Sequence, residues 1–169
     1  MTNMIRKLVL ATAVAGIAMT AAPALAANPD QNANATARIL RPLTLTWVSD
    51  FDLGTIVLSG SAPFSATVGL NQAGALTCPA SVTCSGTTSV ARYNVRGTQG
   101  QTVLISAPNV TLSSGSNTLT LAVSAPASVV LSNSGAPGND INIGGSITVT
   151  DTTPDGVYSG IFNVTANYQ

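Results

Sequence analysis

The sequence predicts an all-β protein folded as an antiparallel sandwich, and three observations carry that expectation. Apolar side chains recur at every second residue in short runs, which places them on one face of a strand. Gly, Pro, Asn and Asp punctuate those runs at about ten-residue spacing, and beyond residue 26 no stretch keeps a helical period. The third observation is the end of the chain, where residues 156–169 alternate almost without error.

The elements follow in order. Arg6 and Lys7 precede an apolar run over residues 8–19, and Ala24-Leu25-Ala26 offers a small-residue cleavage site. Residues 1–26 therefore read as a cleaved signal peptide, with a single domain over residues 27–169. The run is too short to cross a bilayer, so no membrane span is expected after cleavage. Residues 32–47 then place Ala33, Ala35, Ala37, Ile39, Leu43, Leu45 and Trp47 on one face, with Pro42 marking an edge or a bend. Short apolar strands are expected at 54–58 and around Phe64, Ala66 and Val68. Residues 90–96 turn Ala91, Tyr93 and Val95 inward and Arg92, Asn94 and Arg96 outward.

Three further strands are expected at 102–107, 119–123 and 128–131. In residues 141–149, Ile141, Ile143, Ile147 and Val149 share a face that Gly144-Gly145 interrupts, as a bulge or sharp bend would. Turns are expected at 71–74, 113–117, 133–140 and 151–156. The longest regular strand is then 157–169, with Tyr158, Phe162, Val164, Ala166 and Tyr168 inward and Ser159, Asn163, Thr165, Asn167 and Gln169 outward. This many short strands with such spacing suits an immunoglobulin-like sandwich.

Composition narrows the function. Charged residues make up 7% of the chain against about a quarter in an average soluble domain, and beyond residue 26 there is no Lys, Glu or His. Ser, Thr, Asn and Gln supply the polarity instead, a profile that suits an exported protein. No basic stripe is available for nucleic acid and no polybasic patch for anionic lipid. Without His there is no Ser-His-Asp or Cys-His nucleophile, and without a mature Lys there is no Schiff base.

Cys78 and Cys84 are the two cysteines, which in an exported chain read as one disulfide. A metal pair would need further ligands, and no His exists to complete a zinc site. Closing so short a loop stabilises by only about 2 kcal/mol, so the bridge is expected to pin one loop. Asp50 with Asp52 and Asp151 with Asp155 are the nearest carboxylate pairs. A glycosidase would need an aromatic-lined groove around such a pair; calcium fits better, since carboxylates and loop carbonyls are its ligands, yet neither segment matches the EF-hand spacing. Both pairs read best as turn residues, whose carboxylates bond nearby backbone. No cofactor is expected. Asn34-Ala35-Thr36, Asn109-Val110-Thr111 and Asn163-Val164-Thr165 match the glycosylation acceptor pattern, which strands rich in Asn and Thr generate by chance.

One feature reaches beyond a generic sandwich. Sheet edges are normally guarded by Lys, other charges, Pro or bulges. The stretch 157–169 carries no charge, so it lies either inside a sheet or against another chain. Residues 35–45, Asp52-Leu53-Gly54-Thr55-Ile56, Tyr93-Asn94-Val95-Arg96-Gly97, residues 143–149 and Gly156-Val157-Tyr158-Ser159-Gly160 together resemble an uncharacterised domain family of secreted proteobacterial proteins. Gly156 fourteenth from the end and the penultimate Tyr168 also resemble the ending of chaperone-usher pilins, including the archaic spore-coat-U-like kind.

The resemblance implies an incomplete pilin-like fold, completed by a periplasmic chaperone and then by the N-terminal arm of the next subunit, with an outer-membrane usher as a further partner. It would place the protein in the periplasm, on the cell surface or in a fimbria, with Gly156, Tyr158, Phe162, Val164, Ala166 and Tyr168 as strand-pairing or chaperone-binding residues. As a donor arm, residues 27–38 would bind weakly, because Ala33, Ala35 and Ala37 bury much less than Val or Leu. The same residues suit the domain's own first strand equally well. The alternative reading is a self-complete monomeric sandwich binding a glycan or calcium through its loops.

Overall fold

The computed structural model describes residues 31–169, of which Arg38–Gln169 form one compact unit. The expected signal peptide lies outside the described residues. Residues 31–43 carry no secondary structure, and the first strand, β1, covers only Thr44–Ser49. The expected long strand over 32–47 is thus cut to its second part. Ala side chains bury too little to hold an edge, and Pro42 withholds a ladder hydrogen bond just before Leu43.

Eleven further strands follow: β2 (Thr55–Leu58), β3 (Ser65–Leu70), β4 (Leu76–Thr77), β5 (Val82–Ser85), β6 (Ala91–Arg96), β7 (Thr102–Ser106), β8 (Val110–Ser114), β9 (Asn117–Ser124), β10 (Ser128–Val130), β11 (Asn139–Thr150) and β12 (Thr165–Tyr168). All pairings are antiparallel, and no helix occurs among the described residues. The result is the expected all-β, sandwich-like arrangement.

One layer is a seven-stranded sheet running β1-β6-β11-β3-β4, with β9 also paired to β11 and β8 to β9. β11 is its spine and, at 12 residues, the longest strand. Its first part, residues 139–143, pairs with β6, and residues 144–150 pair with β9 and β3. Gly144-Gly145 marks that handover rather than interrupting the strand. A Cβ at Gly144 would collide with the Leu70 carbonyl, and one at Gly145 would crowd Leu121. Glycine here lets three backbones approach closely.

The second layer is in two pieces, a three-stranded sheet β10-β7-β12 and the two-stranded β2-β5. Each covers its own part of the core. Val95, Val103, Ile105, Leu131 and Ile141 form one buried cluster, sealed by Leu43, Leu45, Val129, Val164, Ala166 and Tyr168. Leu53, Ala66, Val68, Leu70, Val82, Leu121, Ile147 and Val149 form the other, with Ile56, Leu112, Leu119 and Phe162 packed against it.

The Cys78–Cys84 disulfide is present and joins the end of β4 to β5, tying the edge of the large sheet to the small one. On the outer face Arg92 pairs with Asp140 at 3.0 Å. The Asn94 amide donates to Asp140 at 2.6 Å. That hydrogen bond, with the Arg92 guanidinium after it, holds the Asp140 carboxyl below the usual carboxylate range. Trp47 is 57% exposed on β1, and its indole N–H donates to Asp50 Oδ1 at 3.0 Å.

The C-terminal stretch departs from expectation. Its inward and outward alternation survives in the burial of side chains: Tyr158, Phe162, Val164, Ala166 and Tyr168 are partly buried and their neighbours exposed. Only Thr165–Tyr168 is a strand, however, and between residues 156 and 164 a single bridge, Ser159 to Ser113, provides pairing. The segment leaves the β8 edge of one layer to join β7 in the other, and a chain changing layers cannot keep a continuous ladder.

Candidate functional site

The candidate site lies on the inner face of the large sheet, between β2 and the segment that leads to β12. It is a groove of about 800 Å³. Its floor is the inner face of the large sheet: Leu112 from β8, Leu119 and Leu121 from β9, Ile147 and Val149 from β11. One wall is β2, and the other is the segment 153–162. Alternation along β8, β9 and β11 aims these side chains at the core, where Leu121, Ile147 and Val149 are buried while Leu112 and Leu119 stay partly open.

The β2 wall has an unpaired side, because β2 pairs with β5 alone. Beyond the groove the second wall runs into β12, which pairs with β7 alone. The wall opposite β2 is set by close contacts. Ser113 and Ser159 exchange backbone hydrogen bonds of 2.8 and 3.1 Å. A Cβ at Gly156 would strike the Ser114 side chain, and one at Gly160 would lie 2.7 Å from the Thr111 carbonyl, so only glycine lets the segment lie flush on β8. The Tyr158 hydroxyl donates to the Pro154 carbonyl at 2.9 Å, closing the preceding turn.

Exposed apolar side chains rim the groove. Val157 is 86% exposed and Val57 is about half exposed. Asp52 and Asp155 are the charged groups on the lining. Asp52 Oδ1 accepts the Gly54 N–H at 2.8 Å, the turn role expected of it. Asp50 accepts from Trp47, and Asp151 from the Phe64 N–H at 3.4 Å. Among the described residues no three metal-ligating side chains cluster. What the groove can do chemically is bury alternate apolar side chains of an extended segment while the free side of β2 hydrogen-bonds to it.

The six residues expected to act as one strand face separate into two sets. Gly156, Tyr158 and Phe162 line the groove, whereas Val164, Ala166 and Tyr168 seal the other core cluster. The floor and the β2 wall were missed by sequence reasoning. Their one available signal is Ile56-Val57-Leu58, a strand apolar on both faces, which fits a strand with something to cover on each side.

Fold and groove together define an all-β domain whose second layer is in two pieces. The chain belongs to the family described as domain of unknown function (DUF4402), which matches residues 43–168. No curated protein and no solved structure matches it.

Proposed function

We propose that the protein is a non-enzymatic, exported structural subunit whose groove takes up a β-strand from another chain. The uncharged C-terminal segment and the pilin-like ending support this reading, and one observation carries it. Leu112 and Leu119 on the inner face of the large sheet stay partly open between β2, which pairs with β5 alone, and the segment 153–162, whose one bridge is Ser159 to Ser113. A strand in that gap would extend β2-β5 and cover Leu112 and Leu119. Backbone hydrogen bonds would supply affinity and alternate side chains the register. The partners would be a chaperone or a like subunit in the periplasm, at the cell surface or in a fimbria.

The test is hydrogen exchange and light scattering on the full chain, at rising concentration and with a peptide covering residues 31–42. Strand uptake predicts slowed exchange over Thr55–Leu58 and residues 156–162, together with a larger species. A strictly monomeric chain whose exchange in both walls stays unmoved under both conditions would overturn the proposal.

A further inference from the structure

Six residues carry a lysine or arginine side chain: Arg6, Lys7, Arg38, Arg41, Arg92 and Arg96. Between residue 8 and the end of the chain a protease specific for basic residues therefore has four bonds to choose from, and the fold closes three of them. Such an enzyme reads its substrate as an added extended strand, so the bond must lie in backbone free to pair. Arg92 and Arg96 lie in β6, flanked by β1 and β11. Their side chains are also held, Arg92 by Asp140 and Arg96 by Asn94 Oδ1 at 3.0 Å.

Arg41 precedes Pro42, whose ring fixes the backbone and removes an N–H beyond the bond. Its own backbone is pinned as well: Arg41 N–H donates to Thr98 Oγ1 at 2.7 Å, and its carbonyl accepts from the Tyr168 hydroxyl at 2.8 Å. Arg38 has none of these restraints. It is exposed in a segment without secondary structure, no hydrogen bond or ion pair holds its side chain among the described residues, and the next residue, Ile39, is 92% exposed.

We infer that Arg38-Ile39 is a processing site for an arginine-specific endopeptidase, placed to detach the N-terminal arm from the folded unit in one cut. Water adds across the peptide bond, leaving a carboxylate on Arg38 and a free amino group on Ile39. The strands and both core clusters lie after the cut, from Leu43 onward, so the product keeps its groove. The consequence for assembly rests on the strand-uptake reading: a cut subunit could accept a strand but no longer donate its arm.

The experiment is limited digestion of the native full chain with trypsin, followed by intact mass and N-terminal sequencing. The expected product begins at Ile39, runs to Gln169 and persists, and Arg38→Gln removes that cut. After denaturation Arg92-Tyr93 and Arg96-Gly97 should open too. Early cutting of the native chain at Arg92 or Arg96, or survival of Arg38-Ile39, overturns the site. Light scattering on the Ile39 product then addresses assembly separately: a clean cut that leaves self-association unchanged would count against the arm as donor while leaving the processing site standing.

Discussion

The two ends of β11 face the same layer with unequal cover. Over residues 139–143 the inner face meets three strands, and Val95, Val103 and Leu131 are sealed from solvent. Over residues 144–150 it meets only β2-β5, and Leu112 and Leu119 stay partly open. The same strand buries its own side chains at both ends, and the difference shows beside it, on β8 and β9, where those two leucines lack full cover. The difference lies in the roof, not the floor.

The largest effect should separate the two ends directly. Leu131→Ala, in the sealed cluster, is expected to destabilise the isolated chain by about 3 kcal/mol in denaturant titration, whereas Leu119→Ala on the groove floor should cost about 1 kcal/mol. Equal losses would remove the distinction. Next comes the bridge that ties the β2-β5 wall to the large sheet: replacing both Cys78 and Cys84 by Ser should cost about 2 kcal/mol and speed hydrogen exchange in β2 more than in β7. A uniform change across both strands would show that the wall does not depend on its clip.

Tyr168→Phe acts at the sealed end. Its hydroxyl accepts from the Thr98 N–H at 2.7 Å as well as donating to Arg41, so its loss should cost about 1 kcal/mol and loosen residues 41–43 while β2 exchange stays unchanged. The smallest effect concerns Asp140. Its carboxyl is depressed in the folded chain, so its contribution is present above the ordinary carboxylate range and fades as pH falls through the lowered value. Urea midpoints of the parent and of Asp140→Asn should therefore differ slightly at neutral pH and converge in acid. Divergence toward acid would reverse the assigned sign.

Much of the sealed end was legible. Alternation in residues 90–96, 102–107 and 128–131 marks β6, β7 and β10, because a strand buried on one face must repeat every second residue. The open end was less so. β4 and β5 are short and flank a Cys-Pro turn, so their pattern is too brief to register, and β8 carries only Val110 and Leu112 as apolar markers. The C-terminal alternation correctly marks which side chains face inward, yet it says nothing of lateral hydrogen bonding. Residues 156–162 accordingly read as strand although only Ser159 is paired there. A groove is an absence of cover, and sequence periodicity records the covered side chain rather than the cover.

Trp47 sits on β1 opposite Tyr93 of β6 and is not part of the groove lining. As the one indole in the chain, it makes selectively excited tryptophan emission a single-site reporter. A fluorescence melt will follow release of the Asp50 contact and the opening of β1 from β6, and will be blind to whatever fills or leaves the gap beside β2. Spectroscopists wishing to watch that gap will need a second dye placed there.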